Sequence, residues 1–337
     1  MKSYPAKMKA IIAREPGDAG VLTLVERSVP EPGAGEVLLR VTAAGVNRPD
    51  IMQRKGLVKP PAGVTDVLGL EVCGEVVACG PGVPAYFQGR RLMSLVPGGG
   101  YAPWCVASVE HSFIVPDGLD DVAAAAMPEG LFTVWHNLFE LGRLQMGETL
   151  LLHGASGGIG TLAIRMACAA GARVIATVGR SDRIPNLRDM GVSKVICYKE
   201  TDFVEACLDF TQGHGVDVVL DVVGGEYVQR NLKALAFGGR HVSLSFMQGS
   251  LVKVELLTLM QKQLSLHSST MRPQPYGEKV RIAAAIQKYV LPLIARNVIR
   301  PLVHASFPLA DAIRAHEMLE SGDAFGKLVL LTGPEQC

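Results

Sequence analysis

The spacing of apolar and polar positions divides the chain into regions of different period. Over the first 120 or so residues the apolar runs are short. Met8–Ala13 (MKAIIA), Glu36–Ala43 (EVLLRVTA), Leu68–Ala78 (LGLEVCGEVVA) and Arg90–Val96 read as strands or strand pairs, punctuated by Pro30, Pro32, Gly33, Gly35 and the run Pro97-Gly98-Gly99-Gly100. Such spacing predicts a small barrel or sandwich. After Asp120 the period lengthens: Asp121–Met127 is alanine-rich, and Gly130–Leu141 carries apolar residues at helical spacing. From Thr149 the pattern alternates. Strands Thr149–His153, Arg173–Val178, Lys194–Cys197, Val216–Asp221 and Gly239–Leu244 are separated by helix Ile159–Ala170, a polar helix ending at Met190, and helices Phe203–Thr211 and Tyr227–Leu235. That alternation predicts a parallel sheet with right-handed crossovers. Helices Lys279–Ala295 and Leu309–Glu320 and strand Gly326–Leu331 follow.

Composition narrows the partners. A chain of 337 residues with 48% hydrophobic content is long enough for two domains and too apolar for disorder to dominate. Lys and Arg total 33 against 32 Asp and Glu, which argues against a broad basic surface for nucleic acid. The seven cysteines, at 73, 79, 105, 168, 197, 207 and 337, show no C-x-x-C spacing and fit reduced thiols. Met1–Arg14 is charged and broken by Pro5, unlike a signal peptide, and no apolar run is long enough for a membrane span. The expectation is a cytoplasmic protein with neither a nucleic acid nor a membrane as partner.

The strongest local signal is Leu150-Leu151-Leu152-His153-Gly154-Ala155-Ser156-Gly157-Gly158-Ile159-Gly160. Against G-x-G-x-x-G, Ala155 replaces the first glycine while Gly157 and Gly160 hold the second and third. The turn follows an apolar strand and opens an apolar helix, the setting that a dinucleotide site requires. Gly157 lets the backbone approach a pyrophosphate, the helix N-terminus offers amides to its charge, and Gly160 lets helix and strand pack closely. The next strand ends Ala176-Thr177-Val178-Gly179 without the acid that binds the ribose of NAD. Arg180 and Arg183 flank Asp182 just beyond it, so NADP(H) is the expected cofactor. The same turn also fits G-x-S-x-G around Ser156, the nucleophile elbow of a hydrolase, with His241 and Asp221 as conceivable partners. Gly160, the following strand and the strand-rich start fit that reading poorly. No H-E-x-x-H and no cysteine cluster supports a metal.

Taken together, several segments resemble the zinc-independent medium-chain dehydrogenase/reductases of the quinone oxidoreductase (zeta-crystallin-like) group, in particular the tumour-suppressor-inducible branch. They are Gly45–Arg54, Leu68-Gly69-Leu70-Glu71, Leu95–Gly100, Met127-Pro128-Glu129, Ala155–Gly160 and Gly326-Lys327-Leu328-Val329. The resemblance implies an α/β fold: a GroES-like β-rich catalytic domain (residues 1–126 and 269–337) and a Rossmann domain with a doubly wound parallel sheet (127–268), with the active cleft between them. Zinc-dependent relatives carry ligands at positions that map to Asn47, Leu70 and Glu129, so no metal is expected. The implied cofactor residues are Ser156, Gly157, Gly158, Ile159, Gly160, Arg180, Arg183 and Tyr198. Thr133 is placed near the nicotinamide and Asn47 near the reacting end, both as positioning residues. Val58 stands where relatives often carry a tyrosine.

The expected activity is NADPH-dependent reduction of a quinone. The alternatives are reduction of an enone or alkenal double bond, and a non-enzymatic crystallin-like or regulatory NADPH-binding protein. Hydride transfer depends on proximity, orientation and water exclusion more than on a dedicated acid. The resemblance also implies a homodimer, with Arg240–Phe246 and Leu264–Ser268 as the candidate strands at its interface.

Overall fold

The computed structural model describes residues 4–332. In chain order the elements are β1 (Lys7–Ala13), β2 (Leu22–Ser28), β3 (Glu36–Val46), α1 (Arg48–Arg54), β4 (Glu71–Cys79), β5 (Arg91–Leu95), β6 (Trp104–Ser108), β7 (Ser112–Ile114), α2 (Asp121–Ala125) and α3 (Pro128–Val134). There follow β8 (Thr149–Leu152), α4 (Gly158–Ala169), β9 (Arg173–Val178), α5 (Ile184–Asp189), β10 (Lys194–Cys197), α6 (Phe203–Phe210), β11 (Val216–Asp221), α7 (Tyr227–Ala234), β12 (Leu235–Ser243), α8 (Leu256–Lys262) and β13 (Ser265–Ser268). The last elements are α9 (Tyr276–Tyr289), α10 (Leu291–Ala295), β14 (Val303–Pro308), α11 (Ala312–Ser321) and β15 (Lys327–Leu331). Two units result: one takes the described residues up to Phe132 and from Arg272 onward, the other is Thr133–Met271.

The second unit is built on six parallel strands in the order β10-β9-β8-β11-β12-β13. Counted by appearance this is 3-2-1-4-5-6, the doubly wound order, and the direction of winding reverses between β8 and β11. Helices cover the sheet, so β8 is buried at every residue and reads as a continuous apolar run. Leu151, Ile175, Ile196 and Val219 pack with Phe203 and Cys207 of α6 and Leu232 of α7.

In the first unit a seven-stranded sheet runs β14-β15-β3-β4-β5-β7, with β6 also paired to β3, and β1 and β2 form a separate antiparallel pair. β15 returns from the far end of the chain to lie antiparallel to β3, with Leu328 opposite Val46 and Val329 opposite Gly45. That register carries Lys327 to the end of β3 where α1 begins.

Several elements differ from their sequence pattern. β6 and β7 are short and β2 carries the charges of Glu26 and Arg27, while β14 alternates Val303, Ala305 and Phe307 with His304, Ser306 and Pro308 over only six residues. α1 also escaped, because seven residues hold barely two turns; its start is marked by Asn47 and by Pro49 in the first turn, where a missing N–H costs nothing. Leu68–Ala78 becomes a strand only from Glu71. Gly69, at φ +97°, lies so close to Gly100 and Tyr101 that a Cβ would stand 2.6–2.7 Å from their atoms. The expected helix Gly130–Leu141 changes hand-over at Val134 into a π-helical segment, Trp135–Leu141. There the Asn137 side chain donates to the Thr133 carbonyl at 2.8 Å, inside the backbone ladder. Helix 279–295 breaks after Tyr289, where Pro292 removes a donor.

Candidate nucleotide site and buried polar network

In the parallel unit, β8 feeds the turn that starts α4. Gly160 is required by packing: a Cβ would stand 2.4 Å from the Gly154 carbonyl oxygen and 2.7 Å from Ala155 Cα. Gly157 is different. A Cβ there would meet only the Gly154 oxygen, at an ordinary 3.6 Å. The fold therefore does not need a glycine at 157, and the open space over it suits a close-lying phosphate. α4 is twelve residues long, and the amides of Gly158, Ile159 and Gly160 have no carbonyl partner among the described residues. Open backbone, three outward amides and a helix N-terminus fit the pyrophosphate of a dinucleotide.

Arg183 reaches back to this turn, donating from Nη1 to Ser156 Oγ at 2.7 Å. At the end of β9, Gly179 makes room for Tyr198: a Cβ would be 2.5 Å from the tyrosine hydroxyl. The Tyr198 ring is 43% exposed and meets Tyr227 edge-on, and Tyr227 stacks on Phe203. Arg180 instead turns to Asp182, donating from Nε to Oδ1 at 3.2 Å and from Nη2 to Oδ2 at 2.7 Å. The structure thus brings together Ser156, Gly157, Gly158, Ile159, Gly160 and Arg183, with Tyr198 at the neighbouring strand end and Arg180 engaged by its own acid. Thr133 is buried in the last turn of α3.

The hydrolase reading fails on geometry. Ser156 Oγ faces a guanidinium, not an imidazole. His241 and Asp221 bond each other at 3.2 Å and are buried. They belong to a chain of side chains across the strand ends. Thr177 meets His153 Nδ1 at 2.8 Å, His153 Nε2 meets Asn231 Oδ1 at 2.8 Å, and Asn231 Nδ2 lies 3.2 Å from His241. Burial pushes the Asp221 carboxyl up, but the His241 hydrogen bond, the neighbouring His153 and the Val223 amide outweigh it and leave it below the ordinary carboxylate range.

In the strand-rich unit Asn47 sits in a second buried cluster. Its Nδ2 donates to Glu71 Oε1 at 2.8 Å, and its Oδ1 accepts from Lys327 Nζ at 2.7 Å. Lys327 also pairs directly with Glu71, and Glu71 Oε2 accepts the Glu129 amide at 2.9 Å. An ammonium on one end and a carboxylate on the other allow the Asn47 amide only one orientation. One Nδ2 hydrogen remains beyond the bond to Glu71. Gly45 lies beneath the carboxylate, where a Cβ would be 2.0 Å from Glu71 Oε1. Lys327 and Glu71 had no assigned role from sequence. The available signal was Lys327 at the head of the otherwise apolar β15, and Glu71 at the buried start of β4. Among the described residues, no three His, Cys, Asp or Glu side chains converge as a metal would require.

Asp50 extends the cluster. It accepts the Asn47 amide at 2.8 Å, the Gly69 amide at 3.1 Å and the Tyr101 hydroxyl at 3.3 Å. Tyr101 also meets His316 Nε2 at 3.1 Å, and Arg54 Nη1 points at His316 Nδ1 from 3.4 Å. Since Arg54 can only donate, Nδ1 is the acceptor and Nε2 carries the hydrogen. Burial and the Arg54 charge hold His316 down to about 3, hence neutral. Arg54 is fully buried and ends on Glu320 at 2.6 Å.

Comparison with known proteins places both units. Residues 33–130 match the alcohol dehydrogenase GroES-like domain, and residues 158–286 match the zinc-binding dehydrogenase family. A mycocerosic acid synthase-like polyketide synthase of Mycobacterium tuberculosis is 32% identical over 318 residues, 94% of this chain and 15% of that protein. The chain thus spans a small part of such curated relatives. The solved structure of a mycobacterial quinone oxidoreductase is 32% identical, with a TM-score of 0.83, covering 96% of this chain and 99% of that one. JamJ enoyl reductase in its apo form is 27% identical, with a TM-score of 0.86, covering 97% and 99%.

Three outcomes follow from these contacts. Gly160→Ala should fold poorly, whereas Gly157→Ala should melt near the unaltered chain yet lose most dinucleotide affinity; equal melting losses would contradict the packing difference. Lys327→Met strands a buried carboxylate and should cost about 3–5 kcal/mol in denaturant unfolding, much of it recovered by adding Glu71→Gln. Burial holds Asp50 at about 6 against an ordinary 3.8. The folded chain therefore binds that proton more tightly than the unfolded chain. The resulting stabilisation is complete below the unfolded value and is lost as pH rises through about 6. The unfolding free energy of the unaltered chain minus that of Asp50→Asn should accordingly fall between about pH 4 and 7. A flat difference would exclude this linkage.

Proposed function

The chain belongs to the medium-chain dehydrogenase/reductase family, and we propose that it is an NADPH-dependent reductase of carbon–carbon double bonds conjugated to a carbonyl. It is an oxidoreductase of a family that binds nicotinamide cofactors. The observation that carries the finer reading is the run of relatives named for polyketide synthesis and enoyl reduction, which align along nearly the whole chain. The sequence resemblance favours a quinone as acceptor. A quinone is also a conjugated enone, and the quinone oxidoreductase relative keeps it as the second acceptor class.

Bound NADPH supplies a hydride. The amides of Gly158, Ile159 and Gly160 would hold the pyrophosphate, and Arg183, placed by its bond to Ser156, would meet the 2′-phosphate. Asn47 offers its remaining amide hydrogen to the acceptor carbonyl. Lys327 and Glu71 keep that hydrogen aimed, and their buried pair makes the amide costly to turn. Charge developing on the carbonyl oxygen is then met by a preoriented donor, and solvent can return the proton at carbon. No group in the cluster needs to bind a metal for this chemistry.

We also propose a homodimer formed at β13. Among the described residues β13 pairs with β12 alone, leaving one edge of the sheet open. Leu266 on that strand and Leu256, Leu257 and Met260 on α8 are exposed apolar side chains. A second copy would cover the edge and the apolar face together. Sedimentation should give twice the 35.9 kDa chain mass; a monomer with full activity would refute this.

Anaerobic incubation with NADPH and a simple enone should give the saturated ketone, and turnover should exceed that with benzoquinone. NADPH consumption with quinones only would reverse the order. NADPH should bind at least about tenfold tighter than NADH, a difference of about 1.4 kcal/mol. Arg183→Glu should abolish that preference in a fluorescence titration.

A further inference from the structure

The segment after β9 presents two guanidinium groups and one carboxylate. Arg183 is drawn to Ser156, while the Nε–Nη2 edge of Arg180 donates to both oxygens of Asp182. The Arg180 hydrogen bond, and then the charges of Arg180 and Arg183, hold the Asp182 carboxyl below its ordinary range, so it is ionised at neutral pH. Gly179, the last residue before this turn, has no side chain, and Tyr198 fills the space over it. The only acid among residues 179–183 is therefore the one already engaged with a cation.

We infer that Asp182 sets the balance between the two dinucleotides by competing with a 2′-phosphate for Arg180. This rests on the nicotinamide reading of the glycine turn. A phosphomonoester carries up to two negative charges at neutral pH and seeks the planar donor fork of arginine. To reach Arg180 it must displace Asp182 or bind beside it against like charge. An unphosphorylated 2′-hydroxyl is instead a hydrogen-bond donor, and a carboxylate can accept from it. One side chain thus weakens NADPH binding and supports NADH binding. Arg180 and Asp182 are 54% and 59% exposed at the side chain, so water screens their attraction and the brake is moderate.

The test is titration of NADPH and NADH, by nicotinamide fluorescence, into the unaltered chain and its Asp182→Asn and Asp182→Ala variants. Both variants should raise the NADPH-over-NADH affinity ratio about fivefold, mainly by tightening NADPH, in keeping with an exposed ion pair. Asp189→Asn removes an equal charge from the exposed face of α5 and should leave the ratio unchanged. A ratio that stays constant or falls in the Asp182 variants overturns the inference, as does an equal rise with Asp189→Asn. Because the ratio is compared between variants, its shift is read whichever cofactor the unaltered chain prefers. Failure of the unaltered chain to bind either dinucleotide would instead sink the underlying reading.

Discussion

Lys327 cannot lie inside the protein without Glu71, and that requirement closes the strand-rich unit on itself. An unpaired ammonium in a low-dielectric interior costs several kcal/mol, about 3–5 when one partner of a buried pair is removed. Lys327 starts β15, near the end of the described chain, and Glu71 starts β4, 256 positions earlier. Bringing the two together places β15 beside β3, fixes the Asn47 amide, and leaves room only for glycine at position 45. Asp50, Tyr101, His316 and Arg54 then continue the same logic outward to Glu320, near the surface. From Arg54 through His316 and Tyr101 to Asp50 each donor meets an acceptor, and the neutral imidazole is the joint at which the chain of hydrogen bonds keeps its direction.

The parallel unit obeys a different constraint, the closeness of backbone to backbone. Gly160 sits against the Gly154 carbonyl, and this contact sets the angle at which α4 leaves β8. The amides of Gly158, Ile159 and Gly160 at its start have no carbonyl partner among the described residues. Buried charge is again paired: Arg240 of β12 donates to the carbonyls of Gly142 and Arg143 and to Glu148 at 2.6 Å, pinning the end of the π-helical segment to the sheet. His153 and Asn231 stitch the strand ends below the turn. The glycine turn therefore rests on a hydrogen-bonded polar layer as well as on apolar packing.

The two sites divide the work by the kind of charge they meet. A pyrophosphate is permanently anionic, and backbone amides at a helix N-terminus suit it. A carbonyl oxygen becomes anionic only as hydride arrives, so its donor must be oriented beforehand. Asn47, held at both ends, has the prior orientation that the proposed reduction requires. At the end of β9 the Arg180–Asp182 pair is exposed, and the proposed competition for a 2′-phosphate would act there.

The sequence by itself determined the alternation of strands and helices between Thr149 and Leu244, the glycine turn, and the absence of an acid at Gly179. These are local: period, turn chemistry and strand ends are written in neighbouring residues. The tertiary structure alone decided that Asn47 is clamped by Lys327 and Glu71, that Ser156 serves Arg183 and not His241, and that Arg180 is occupied by Asp182. The first of these joins residues from three distant strands and turns, where no short-range pattern reports a partner. The others depend on which way a long side chain turns once its strand end is built. Gly157 and Gly160 show the same division within one motif. The spacing marks both, but only the packed backbone reveals that one glycine serves the fold and the other leaves space for a ligand.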